Sequence, residues 1–200
     1  MTDVEGVVLA AGLSRRSGRF KMTLPLGDKT VVEVTIDGML PFVDRVIVVV
    51  GWQAERLRTL LAGRPDVDLA YNERYREGMF SSVRAGIARV RAGRFFLLPG
   101  DQPLVQAEVY TRLLLAEGAV AIPTYHGKKG HPVLLDSGLV PEILAQPAEG
   151  TLRDCIQAKD CTTVEVEDEG ILIDLDTADD YAAIVDRYRA QHELRRGKHG

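Results

Sequence analysis

The 200-residue sequence predicts an α/β fold, a three-layer sandwich with helices on both faces of a mainly parallel sheet. Three observations carry that prediction. Short, nearly continuous apolar runs stand at 6–10, 45–50 and 95–98, the pattern of strands buried on both faces. Segments with helical apolar spacing separate them. Apolar residues make up 46% of the chain and charged residues 27%, which supports one packed core without disulfides or a structural metal.

Taken in order, the strand 6–10 runs into a segment, 11–21, rich in Gly, Ser and Arg, which suits neither a strand nor a long helix. A helix is expected over 31–40, ending before Pro41. The strand 45–50 leads to a helix at 54–61, ended near Gly63, and a short strand at 67–71. The segment 81–91 is amphipathic, with Val83, Ile87 and Val90 along one side. The strand 95–98 stops at Pro99 and Gly100, and a helix over 107–117 and a strand over 119–123 follow. The alternation breaks at 125–135, where 125–130 reads as the turn between two strands of a small antiparallel insertion. A helix from about 152, a strand near 163–166 and an extended segment 171–176 come next. Thr177 caps a last helix, 178–190, with Asp179 and Asp180 in its first turn, where negative charge is favourable. A single domain is expected over 1–190, with 191–200 a solvated basic tail. Right-handed crossovers bring the carboxyl ends of parallel strands to one edge of the sheet, where ligands bind. The loops after Ala10 and after Leu98 are therefore expected side by side.

The formal net charge of −4 makes the chain a poor general binder of nucleic acid or of an anionic membrane. Cys155 and Cys161 fit no zinc spacing and read as reduced thiols. The first residues carry neither a basic region nor a long apolar stretch, so a cytoplasmic protein is expected.

Chemistry concentrates in two loops. In the first, Leu9, Ala10, Ala11 and Gly12 are followed by Arg15, Arg16, Arg19 and Lys21. Small residues let backbone N–H groups approach a ligand, and cations beside them describe a polyphosphate cradle. The alternative is a solvated basic loop. The segment is neither a P-loop nor a dinucleotide fingerprint, because the Gly-Lys-Ser/Thr run and the GxGxxG spacing are both absent. In the second loop Asp101 stands just past a buried strand, where a carboxylate can reach the Mg²⁺ that an NTP requires. Its other reading is a turn cap.

These runs resemble the MobA-like nucleotidyltransferases, and within them the MocA branch, the molybdenum cofactor cytidylyltransferases. The resemblance covers most of the chain, from Gly6 to Tyr181. It rests on Leu9-Ala10-Ala11-Gly12 with Arg16 and Lys21, on Gly100-Asp101-Gln102-Pro103, on 72–86, on Gly130-His131-Pro132-Val133 and on Asp174-Leu175-Asp176-Thr177. It implies a Rossmann-like sandwich of the nucleotide-diphospho-sugar transferase type and transfer of CMP from CTP to a phosphorylated acceptor, molybdopterin. Nucleotide contacts would come from Leu9, Ala10, Ala11, Gly12, Arg16, Lys21, Ser82 and Asp101, with Arg16, Lys21 and Asp101 catalytic. Asp101 and Asp176 would hold Mg²⁺, with Asp174 in reserve, and His131 and Arg153 would face the acceptor. Ser82 has the alternative of a helix N-cap. Ser17 stands where the family usually has Met, and the glycines expected before Arg153 do not align. GTP as donor, a sugar or alcohol phosphate as acceptor, and a non-catalytic nucleotide-binding module serving a molybdenum enzyme stay open.

Overall fold

The computed structural model describes residues 3–13, 20–157 and 159–197, with the side chains of 192 and 194–197 excepted. Ten strands and seven α-helices alternate through it. The chain opens with β1 (Val4–Leu9), β2 (Pro25–Leu26), β3 (Lys29–Thr30), α1 (Val31–Met39), β4 (Val46–Val50), α2 (Ala54–Leu60) and β5 (Val67–Tyr71). It continues with α3 (Met79–Ile87), β6 (Arg94–Pro99), α4 (Ala107–Leu114), β7 (Val120–Tyr125), β8 (Lys128–Lys129) and β9 (Val133–Asp136). It closes with α5 (Val140–Ala145), α6 (Leu152–Gln157), β10 (Cys161–Glu165) and α7 (Ala178–Gly197).

The main sheet runs β10-β7-β9-β6-β1-β4-β5, with β8 paired to β7 off that path. β5, β4, β1 and β6 are mutually parallel, β9 is antiparallel to both β6 and β7, and β10 is parallel to β7. Strand alternation sends successive residues to opposite faces. Val4, Val8, Val46, Val48, Phe96 and Leu98 join one core, covered by α1, α2 and α4. Val7, Leu9, Ile47, Val49, Phe95 and Leu97 join a second, covered by α3, α5 and α6. The expected α/β three-layer sandwich is what the chain forms. Gly86 lets α3 lie close to the sheet, since a Cβ there would meet Val7 Cγ1 at 2.5 Å and Val49 Cγ2 at 2.7 Å.

Several boundaries differ from the sequence reading. α3 begins at Met79 because Gly78, at φ +104°, breaks the preceding chain. The turn at His126-Gly127 is a tight hairpin with positive φ at both residues, but β9 is not peripheral: it fills the sheet between β6 and β7. Residues 169–172 form a 3₁₀ turn rather than the start of an extended segment. α7 continues to Gly197, beyond the expected end at 190. The hairpin β2–β3 and helix α5 were not anticipated. A third, smaller cluster joins Leu26, Val31 and Leu104 to Leu175 and Ile184, and so docks α7 on that hairpin. Among the described residues no helix is long and apolar enough to cross a membrane.

Candidate active site

From β1 the chain builds outward through β4 to β5, then returns to place β6 on the other side of β1. The strand order reverses between β1 and β6, which opens a crevice at their carboxyl ends. Leu9 pairs with Pro99, and the Gly100 N–H donates to the Leu9 carbonyl at 2.9 Å, so the two expected loops leave the sheet together.

Lys21 is placed there by its neighbours. Phe20 and Met22 are both buried in the first core, Phe20 edge-on to Trp52 at 5.5 Å, and a 3₁₀ turn over Lys21–Thr23 fixes the backbone between them. The Lys21 ammonium lies 3.3 Å from Asp101 Oδ2 and 2.5 Å from Asp176 Oδ1. Three segments distant in sequence thus meet at one nitrogen. All three side chains are sheltered, with relative exposures of 10, 15 and 26% for Lys21, Asp101 and Asp176. Burial pushes the Asp101 carboxyl above the ordinary aspartate range, and the Lys21 charge takes back part of that rise.

Asp101 sits on a closely held backbone. A Cβ at Gly100 would meet Met22 Sδ at 3.0 Å and the Leu9 carbonyl at 3.1 Å. The buried Thr35 hydroxyl of α1 reaches the Gly100 carbonyl at 3.1 Å, while also reaching Val31 O at 2.9 Å. Asp176 is held from the other direction. Leu175 is fully buried, which turns its neighbours Asp174 and Asp176 the opposite way. The Asp180 carboxylate accepts from the N–H groups of Asp176 at 3.1 Å and Thr177 at 2.7 Å, closing the cap of α7. Two carboxylates converging on one cation suit a hard divalent ion. Among the described residues no three His, Cys, Asp or Glu groups gather to hold a metal alone, and water or phosphate oxygens would complete the shell of an ion held by Asp101 and Asp176.

Next to this cluster lies a cleft of about 810 Å³ on the α3–α6 face. Leu9, Pro99, Phe80, His131, Arg153 and Lys129 are among its walls. His131 and Arg153, expected to act together, do share this cleft. Burial lowers the His131 pKa, with the Asp174 charge opposing, so the imidazole is neutral at neutral pH. Asp174 also raises Asp101, so its charge is felt in both the cluster and the cleft.

Other expected residues are placed differently. Ser82 lies inside α3 and is not its N-cap, a position held by Gly78. Its hydroxyl is buried and accepts from Asn72 Nδ2 at 3.0 Å. Ala10 spends its N–H on the Val49 carbonyl at 2.9 Å. Ala11 is buried, and Gly12 is exposed with open space where a Cβ would stand. Arg16, with Arg15 and Arg19, lies outside the described residues. Sequence reasoning passed over Thr35, and marked Asp180 only as a charge in the first turn of the last helix. It also passed over Arg84, whose guanidinium donates to the carbonyls of Leu144 at 2.9 Å and Gln146 at 3.1 Å and so ties the cleft wall at 146–150 to α3. Apart from the acidic first turn noted for Asp180, no local signal marks them, because each acts on backbone groups through the fold.

A cation–dicarboxylate cluster thus stands at the switch point of this sheet, beside a roomy cleft. Residues 6–164 match the model of the MobA-like NTP transferase domain, and the chain belongs to that family. It is 30% identical over 190 residues to the molybdenum cofactor cytidylyltransferase of Escherichia coli, covering 94% of this chain and 98% of the relative. It is 29% identical over 176 residues to a probable molybdenum cofactor guanylyltransferase of Methanosarcina mazei, covering 81% and 78%. Among solved structures, Rv0371c of Mycobacterium tuberculosis superposes with a TM-score of 0.80 at 28% identity, covering 92% of this chain and 97% of that one. The manganese complex of Rv0371c gives 0.73 at 27% identity, covering 92% and 98%.

Proposed function

We propose that the chain transfers CMP from CTP to the phosphate of molybdopterin and releases pyrophosphate, with Mg²⁺ as the metal. The observation that carries this reading is the meeting of Lys21, Asp101 and Asp176 at the crevice between β1 and β6. A metal ion held by Asp101 and Asp176 would neutralise and orient the triphosphate. Lys21, and Arg16 from the same loop, donate to phosphate oxygens and stabilise the charge that grows on the departing pyrophosphate. The backbone at Ala11 and Gly12 borders the nucleotide, with Leu9 and Ala10 beneath it. Ser82 serves through Asn72, which its hydroxyl helps hold.

The acceptor lies in the cleft lined by His131 and Arg153. Its phosphate is already ionised, so no strong base is needed; an oxygen of it attacks the α-phosphorus. A new P–O bond forms as the bond to the bridging oxygen breaks, and the electron pair leaves with pyrophosphate. Arg153 and Lys129 supply positive charge for the acceptor phosphate, and the neutral His131 supplies a hydrogen bond. Rate then comes from positioning and electrostatics.

CTP over GTP is supported by the resemblance of the Ala10-Ala11-Gly12 run, with Asp101-Gln102-Pro103, to the cytidylyltransferase branch, and by the cytidylyltransferase relative covering nearly the whole chain. The test is pyrophosphate release with Mg²⁺, CTP or GTP, and molybdopterin or a sugar or alcohol phosphate. Turnover with CTP and molybdopterin is expected. Turnover only with GTP or another acceptor replaces the specific reading, and nucleotide binding without any turnover replaces it with a non-catalytic module.

A further inference from the structure

Lys21 is asked for two things at once: it contacts both acids that would hold a metal, and it is the cation placed for the triphosphate. An ammonium and a divalent ion cannot share the gap between the same two carboxylates, because like charges at such separations repel strongly away from bulk water. Both acids are sheltered, so a second cation between them would be poorly screened from the first. One cation must replace the other.

We propose that Lys21 is the resident counter-ion of the metal seat, so that divalent metal and nucleoside triphosphate enter together, the triphosphate drawing the ammonium away as the metal takes its place. This rests on the reading of Asp101 and Asp176 as the metal ligands. Among the described residues the backbones around the cluster are held, and the Lys21 side chain is the part free to swing. Buried Phe20 and Met22 and the 3₁₀ turn hold the Lys21 backbone. The Gly100 N–H bonded to Leu9 holds the Asp101 loop, and Asp180 holds the backbone of Asp176. A lysine suits the exchange, since its compact charge rides on a flexible four-carbon stem with three rotatable donors. A two-pronged guanidinium locked on both acids would give them up less readily. The seat is thus occupied until substrate arrives, which keeps stray divalent ions from filling it without nucleotide.

The test is Mn²⁺ binding, followed by electron paramagnetic resonance on the full chain without nucleotide. Lys21→Met keeps the length of the side chain and removes its charge; Lys21→Gln is a second variant should the first fail to fold. Either folded variant is expected to bind Mn²⁺ at least about tenfold more tightly than the wild type, the scale of one unit charge removed a few ångströms from the ion. Equal or weaker binding overturns the inference. Asp101→Asn and Asp176→Asn, each added to Lys21→Met, separate the two failures. Both are expected to abolish the tight site, and if Mn²⁺ binds undiminished in these double variants, the assignment of the ligands falls instead.

Discussion

The sheet carries a charged cluster at each end, and the two are built in opposite ways. At the amino end, buried Glu5 accepts from Arg45 Nε at 2.6 Å and from the N–H groups of Arg91 at 2.7 Å and Ala92 at 3.3 Å. The same guanidinium pairs with Asp68 and donates to the Arg89 carbonyl at 3.0 Å. Charge there meets a planar fork and fixed backbone groups, and the Glu5 bond raises the Arg45 pKa. At the carboxyl end the Lys21 ammonium reaches two carboxylates, and Asp101 remains shifted upward by its burial. One cluster closes the structure where β1 begins. The other leaves the charged form of Asp101 disfavoured at the crevice, where a bound cation would favour it.

The sharpest way to break this contrast is to neutralise one acid at each end. Asp101→Asn is expected to lower turnover by at least about a hundredfold with the fold intact, the scale of a lost electrostatic contact to the reacting centre. Glu5→Gln is expected to leave turnover per folded molecule within about twofold and to cost about 2 kcal/mol of stability, because it takes the charge away from the half-buried Arg45 and from two backbone donors that Glu5 serves. Steady-state pyrophosphate release and urea melts check the pair. If both variants lose activity, or both lose only stability, the contrast fails.

A pH series refines it. Folding raises the Asp101 pKa, so its contribution to stability is fully present below the ordinary aspartate pKa and is lost as pH rises through the raised value. Asn carries no charge to lose, so Asp101→Asn should gain on the wild type through that window and not below it.

Smaller effects probe the supports. Arg84→Ala frees the 146–150 wall and is expected to raise KM for the acceptor about five- to tenfold, with KM for CTP unchanged. Thr35→Val removes the hydroxyl that reaches the Gly100 carbonyl. It should cost about 1 kcal/mol and raise the Mg²⁺ needed for half-maximal rate a few-fold, with Thr35→Ser restoring it. A change in stability alone would make Thr35 a helix residue with no bearing on Asp101.

Much of this was legible in the sequence where a local pattern reports it. β1, β4 and β6 stand as apolar runs because both faces are covered, and Asp101 stands out because it follows one of them at the ligand edge; Lys21 among its neighbouring cations and Asp176 were marked by the family resemblance. β9 was harder to place. Its four residues tell of a strand but not that it enters the middle of the sheet, a matter of pairing with β6 and β7. Ser82 reads like a helix start, yet Gly78 takes that role and leaves the hydroxyl facing Asn72. Thr35 and Arg84 bond to carbonyls more than fifty positions away, and such contacts leave no periodicity behind.

The central claim is that Asp101 and Asp176 hold one metal over a triphosphate gripped by Lys21. Anomalous diffraction from crystals grown with Mn²⁺ and a non-hydrolysable CTP analogue tests it most directly. One manganese peak touching both carboxylates is expected, with the Lys21 ammonium on a phosphate oxygen. A nucleotide bound elsewhere, with the Lys21 contacts to both acids intact, would contradict it.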